Sequence, residues 1–370
     1  MNTEDILLSL VRSALWDTTP SAEGFPLDEA TWHYLYYLAK KQTVQGIVYD
    51  AICRLPEDLL PPTDLLLGWM NEVQSIEVNH QQQMRALAWL TTRVEVESAL
   101  RPIILKGLPL AALYPIPSHR ISGDIDVFYG SSAAAEAADS LVESWGTIVS
   151  RGKFGESIFT ISHVPVEHHG LLVHSHVPIR NRRLTAWIER KMAEEGFTRE
   201  VIVGEMPVRV LPPDLNVVQL SSHNLGHSLN EGISVRQLCD LALFVDHHHE
   251  VLRATPLRQL LSRFGLRRWT DLCLSYCVSY LGLSAERLPY PVKTSSGTIE
   301  VLRREVMLSG NFGQMDERYE RNPEGNALVT AKRISNNVSR YFRVAPLESF
   351  FSISSLTGMW LKDRILGEEE

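Results

Sequence analysis

The run Gly123-Asp124-Ile125-Asp126-Val127-Phe128 constrains this chain more than any other stretch. Alternate residues of a strand share a face, so Asp124 and Asp126 point one way while Ile125 and Val127 enter a core. Two carboxylates so close raise each other's pKa unless a cation lies between them. Hard oxygen donors of this kind suit Mg²⁺ first. Taken alone, the pair also reads as an Asx-rich turn leading into a strand with two solvated carboxylates. Its surroundings favour the cation. Upstream, the β-like Pro102-Ile103-Ile104-Leu105 stops at Lys106-Gly107, and a loop with two prolines carries His119 and Arg120. Downstream, the β-like run from Val164 to Val173 contains a third acid, Glu167.

That downstream strand is expected beside the first. Glu167 and His169 then share one face, with Val166 and His168 on the other. Three carboxylates on neighbouring strands can hold two Mg²⁺ ions roughly 3.5–4 Å apart, activating an attacking oxygen and neutralising a leaving pyrophosphate. The competing readings are a cross-strand salt bridge for Glu167 and a surface cation on a loop for Lys106 and for Arg120.

The chain has 370 residues, a net charge of −8 and 44% hydrophobic residues, an ordinary globular composition with room for two or three domains. The expected class is α+β: a small mixed β-sheet with helices, flanked by helical regions at both ends. Residues 1–99 read as the N-terminal helical region, 100–211 as the α/β core and 212–370 as the C-terminal helical domain. Helices are expected over Asp5–Trp16, Asp28–Arg54, Asp64–Ala99, Ser131–Trp145, Leu184–Gly196, Leu215–Leu229, Val235–Asp246 and Leu257–Leu281. Further strands are expected over Thr147–Val149, Ser157–His163 and Val164–His174, with a β pair at Glu200–Val203 and Pro207–Val210. Turns are expected at Arg151–Gly155 and Asn322–Gly325, and fraying at Gly367–Glu370. No apolar run reaches membrane-spanning length and no signal-peptide pattern is present. The four cysteines form no C-x-x-C pair, which fits a reducing cytoplasm. The acidic balance disfavours nucleic acid as a partner.

The histidines offer a second chemistry. His223 and His227 lie four apart on a helix, a spacing that could serve zinc, but no Glu follows His223 as in His-Glu-x-x-His. His168, His169, His174 and His176 crowd one hairpin, and His247-His248-His249 reads as a solvated helix end. Arg180, Arg182, Arg183, Arg190 and Lys191 form a basic cluster, read as a solvated face or as a means of steering a triphosphate.

Several motifs together resemble a bacterial family of uncharacterised nucleotidyltransferases within the polymerase-β-like superfamily. They are Leu105-Lys106-Gly107, Tyr114-Pro115, Arg120-Ile121-Ser122-Gly123-Asp124-Ile125-Asp126 and Glu167-His168-His169, followed by Pro212-Pro213-Asp214, His223 and Leu238-Cys239-Asp240. The resemblance implies an NTP as substrate, Mg²⁺ or Mn²⁺ as cofactor, and transfer of an NMP to the hydroxyl of a small-molecule or protein acceptor. Asp124, Asp126 and Glu167 are then the metal ligands, with Glu167 also the base. Lys106 and Arg120 neutralise phosphate, Gly107 and Gly123 allow close backbone approach, and His169 orients Glu167 or touches phosphate. The wider superfamily carries Gly-Ser or Gly-Gly after the first strand; here Gly107 precedes Leu108. That departure motivates the alternative, a catalytically inactive nucleotidyltransferase-fold binding or regulatory module.

Overall fold

The computed structural model describes residues 1–152, 156–173, 175–194, 196–319 and 327–352. The expected turn at 153–155, His174, the loop at 322–325 and the tail at 367–370 lie outside the described residues. The N-terminal part is helical: α1 (Thr3–Leu15), α2 (Glu29–Lys41), α3 (Gln45–Ile52) and α4 (Thr63–Glu97). The middle holds β1 (Ile103–Ile104), α5 (Leu108–Ala111), β2 (Ile125–Phe128), α6 (Ser132–Ser144), β3 (Ser150–Arg151), β4 (Ser157–Ile161), β5 (Val164–His169), α7 (Pro178–Met192), β6 (Arg199–Val203) and β7 (Met206–Val210). Helices follow, among them α8 (Pro213–Asn230), α9 (Val235–Ala254), α10 (Leu257–Arg263), α11 (Arg267–Tyr280), α12 (Ser296–Ser309) and α13 (Ala327–Tyr341). The architecture is mixed α/β, mostly helical, with one small mixed sheet. Among the described residues no helix is long and apolar enough to cross a membrane.

Five strands form the sheet in the order β1-β2-β5-β4-β3, and β6 and β7 pair separately as a hairpin. Among the described residues only β2 and β5 pair in parallel, in the register Asp126↔Glu167 and Phe128↔His169. Strand parity then sorts the side chains. Ile125, Val127 and Val166 enter the apolar layer shared with α6 and the C-terminal half of α4. Phe128 faces the other way, into the helical core that includes residues of α1, α2, α3, α8, α9 and α11. Asp126 shares the face of Phe128. Its carboxylate therefore sits where sheet and helical core meet. At 35 residues, α4 is about 52 Å long and joins both cores. Trp69 and Val73 belong to the helical core, while Leu87, Leu90 and Val94 underlie the sheet.

Several boundaries differ from expectation for local reasons. Thr147–Val149 is not a strand: Ile148 is 88% exposed, and pairing begins at Ser150 opposite Ile158. α7 starts at Pro178 rather than Leu184, because a proline at the first helical position sacrifices no hydrogen bond. The run Leu257–Leu281 breaks into α10 and α11 at Gly265, whose φ of +71° no helix allows. The Asp28–Arg54 pattern breaks into α2 and α3 at Gln42–Val44, with Thr43 at φ +53°. α9 continues to Ala254, so His247-His248-His249 lies inside a helix. His248 packs on Phe244, and burial pushes its pKa down to about 4.

Candidate active site

The parallel pairing of β2 and β5 sets Asp126 and Glu167 side by side, and strand parity brings His169 to the same face. One ligand atom from each of these three lies within 4.8 Å of the others. His169 Nε2 is 2.7 Å from Asp126 Oδ1 and 3.6 Å from Glu167 Oε2, so the imidazole bridges the two acids. Asp126 is fully buried, and Lys106 Nζ stands 3.1 Å from its Oδ1. Asp124 precedes β2 on the same face, outside this close trio. The structure thus brings together Asp126, Glu167, Lys106 and His169, with His169 in the donor set where Asp124 was expected.

The charges sort unequally. Burial favours the neutral form of Asp126, but Lys106 and His169 outweigh it and hold its pKa well below the ordinary carboxylate range. Burial likewise opposes the charge on Lys106 and on His169, and the anion of Asp126 overcomes it in both, raising both pKa values. Asp124 is raised, chiefly by the charge of Asp126 and then by burial. Glu167 is pushed up to about 7, first by burial and then by the two aspartates.

Arg120 is placed differently from the expectation. It is 3% exposed and forms a fork with Asp240, Nε to Oδ1 at 3.0 Å and Nη2 to Oδ2 at 2.7 Å. The Tyr114 hydroxyl donates to the same carboxylate at 2.8 Å. The planar fork is matched to a carboxylate and engaged there, not turned to the trio. Another cation, missed in the sequence, acts on Asp124. Arg236 of α9, after Lys106, partly offsets the rise of the Asp124 pKa, and it also attracts Asp240. Among the described residues its guanidinium donates to neutral oxygens: Thr43 Oγ1 at 3.2 Å, Ile121 O at 3.2 Å and Asn311 Oδ1 at 3.3 Å. The available signal was spacing, since Arg236 lies one helical turn before Asp240 on the same face.

The turn that carries Asp124 is held from three sides. Arg236 binds the Ile121 carbonyl, Gln83 of α4 binds the Ser122 carbonyl at 3.0 Å, and Arg120 Nη1 donates to Ser122 Oγ at 2.5 Å. Gly107 sits at φ 71°, ψ −115°, where a Cβ would meet the Asp124 carbonyl at 3.4 Å. Gly123 is exposed, with open space where a Cβ would be, so its backbone is accessible. Leu108 is buried in the sheet's apolar layer and offers no hydroxyl.

His223 of α8 places Nε2 3.3 Å from Lys106 Nζ, and burial and that ammonium push its pKa well down. His227 pairs with Glu231 at 3.0 Å. His168 faces the opposite side of the sheet and joins Asp139 at 2.8 Å. In the basic cluster, Arg180 pairs with Glu348 and Lys191 with Glu194.

A divalent ion fits the trio on one observation above others. Asp126 Oδ2 is buried without a hydrogen-bond partner, and such an atom carries a desolvation penalty that a cation would relieve. Two carboxylates and an imidazole at this separation form a donor set for Mg²⁺ or Mn²⁺.

A family model described as an uncharacterised nucleotidyltransferase matches residues 28–282, from α2 to the end of α11, well over half the chain. No curated protein and no solved structure matches.

Proposed function

We propose that this chain, which belongs to the uncharacterised nucleotidyltransferase family, transfers an NMP from an NTP to the hydroxyl of an acceptor. The convergence of Asp126, Glu167 and His169, together with the unpartnered Asp126 Oδ2, carries the reading. In the reaction the acceptor oxygen bonds to the α-phosphorus, the bond from that phosphorus to the β-bridging oxygen breaks, and pyrophosphate leaves. Mg²⁺ or Mn²⁺ held by Asp126 and Glu167, with Asp124 alongside, would neutralise phosphate charge and acidify the attacking hydroxyl.

Glu167 receives the hydroxyl proton from its place beside Asp126 on the same face of the sheet. Arg236 is the cation assigned to the phosphates in place of Arg120, because its hydrogen-bond partners are neutral whereas the Arg120 fork is closed on Asp240. Lys106 supplies a second positive charge from beside Asp126. Gly123 leaves backbone open to the substrate. The acidic chain favours a small-molecule or protein acceptor over a nucleic acid.

Titration of the purified chain with each of the four NTPs and Mg²⁺ or Mn²⁺, with pyrophosphate release followed in parallel, tests this. NTP binding is expected in the wild type. Asp126→Asn is expected to lower turnover at least ~100-fold. Arg236→Met is expected to weaken NTP binding about tenfold, the loss of one charge-assisted contact of ~1.5 kcal/mol. No binding of any NTP with either ion would end the proposal. NTP binding without pyrophosphate release to any acceptor would favour the inactive binding module, for which buried Leu108 in place of a hydroxyl residue is the motive.

A further inference from the structure

The segment after α12 begins Gly310-Asn311-Phe312-Gly313. Phe312 sits at φ 51°, ψ 28°, a left-handed conformation that a bulky side chain rarely adopts. Thr43, a β-branched residue, sits at φ 53°. Both outliers border the same group: Arg236 donates to Thr43 and to Asn311, the neighbour of Phe312. Strain from two distant segments thus gathers around the cation that holds the Ile121 carbonyl in the turn carrying Asp124, as at sites where function over-determines the backbone.

The strained turn is wedged in place. A Cβ on Gly310 would come within 2.6 Å of the Lys41 carbonyl, and one on Gly313 within 2.5 Å of the Glu231 carbonyl. The loop is therefore packed between the end of α2 and the end of α8. Its aromatic ring lies 4.5 Å from the His227 ring, which lies 4.3 Å edge-on from His223. His223 in turn contacts Lys106, which pairs with Asp126. A continuous row of side chains leads from the acid to a half-buried phenyl face. Packing alone does not call for phenylalanine here: glycine or asparagine would adopt the backbone without strain.

We propose that Phe312, backed by His227, is the platform on which the base of the NTP stacks while its phosphates lie against Asp124, Asp126 and Arg236. This rests on reading the cleft as an NTP site and adds where the base goes. An aromatic platform accepts any base through its π-face. Purine NTPs, having the larger face, bind here more tightly than pyrimidine NTPs.

The test is calorimetric titration of Mg²⁺-ATP, Mg²⁺-CTP and Mg²⁺-tripolyphosphate into wild type, Phe312→Gly and Phe312→Tyr. The wild type is expected to bind ATP more tightly than CTP and tripolyphosphate. Phe312→Gly is expected to weaken ATP about tenfold, the typical loss of one stacked base. It should leave tripolyphosphate binding unchanged and the melting temperature no lower, because glycine relieves the left-handed φ. Phe312→Tyr should retain wild-type affinity. ATP affinity unchanged in Phe312→Gly overturns the proposal. So does a fall in melting temperature with equal losses for ATP and tripolyphosphate, which marks a structural role. Equal wild-type affinity for ATP and tripolyphosphate removes the platform but leaves the phosphate cleft standing; binding of neither removes both.

Discussion

Glu167 offers a perturbation whose size can be worked from the site. Burial and the two aspartates raise its pKa from an ordinary 4.5 to about 7. The folded-state value exceeds the unfolded one, so the folded protein holds the proton more tightly. Below about pH 4.5 the group is neutral in both states and contributes nothing. Between about 4.5 and about 7 the unfolded chain gains an ionisation that the folded state resists. The cost therefore grows with pH and levels off above about 7. At ~1.4 kcal/mol per tenfold change in proton affinity it approaches ~3 kcal/mol. Solvent reaches 26% of the side chain, which brings the expectation to on the order of 1–3 kcal/mol. Glu167→Gln removes the ionisation. In urea unfolding with EDTA, the variant should match the wild type at pH 4.5 and exceed it by on the order of 1–3 kcal/mol at pH 8. Adding Mn²⁺ at pH 8 should narrow or reverse that gap: an ion at 100 times its Kd stabilises the wild type by ~2.7 kcal/mol, and the variant, which has lost a ligand, by less. A stability gap that does not change with pH, or Mn²⁺ stabilising both proteins alike, refutes the electrostatic account of this cleft.

Two further outcomes follow from packing. Arg120→Met strands the buried Asp240 carboxylate and should destabilise by about 3–5 kcal/mol in urea unfolding. Arg120→Met with Asp240→Leu should recover most of that loss, and an additive double mutant would show that the fork is not one unit. Gly107→Ala forces a Cβ into φ 71°, ψ −115° against the Asp124 carbonyl and should cost roughly 1–3 kcal/mol by thermal unfolding. No loss there would mean that the Lys106-Gly107 turn relaxes freely.

What was legible in the sequence was whatever strand parity and turn chemistry dictate locally. Alternation alone put Asp124 and Asp126 on one face, and Glu167 with His169 on another strand's face; the structure pairs those strands in parallel. The hairpin at β6 and β7 falls within a residue of expectation, because a glycine turn flanked by β-branched residues leaves little choice. Partner identity across long separations was not legible. Arg120 precedes the Gly-Asp turn and looks free for phosphate, yet the carboxylate that engages it lies 120 residues away on α9. Arg236 was hidden for the converse reason: its spacing to Asp240 marks a shared helix face, but nothing local marks which distant segments that face meets. The break at Gly265 and the early start at Pro178 were readable signs outweighed by a hydrophobic period that ran past them.

Lys106 and Arg120 show how pairing geometry, more than burial or charge, separates a cation that can shift from one that is fixed. Both are enclosed and both contact a buried aspartate. Arg120 meets Asp240 through two parallel hydrogen bonds, with Tyr114 completing that carboxylate, so both partners are satisfied and neither can leave cheaply. Lys106 meets Asp126 through one contact to Oδ1, leaving Oδ2 unpartnered. Its other neighbour, His223, is kept neutral by burial and by Lys106 itself, and so remains an acceptor for the ammonium. An ammonium with one charged and one neutral partner can shift between them without being stranded. The Arg120 fork has no such second resting place, which is why Lys106, and not Arg120, suits a site whose charge must rearrange when substrate arrives.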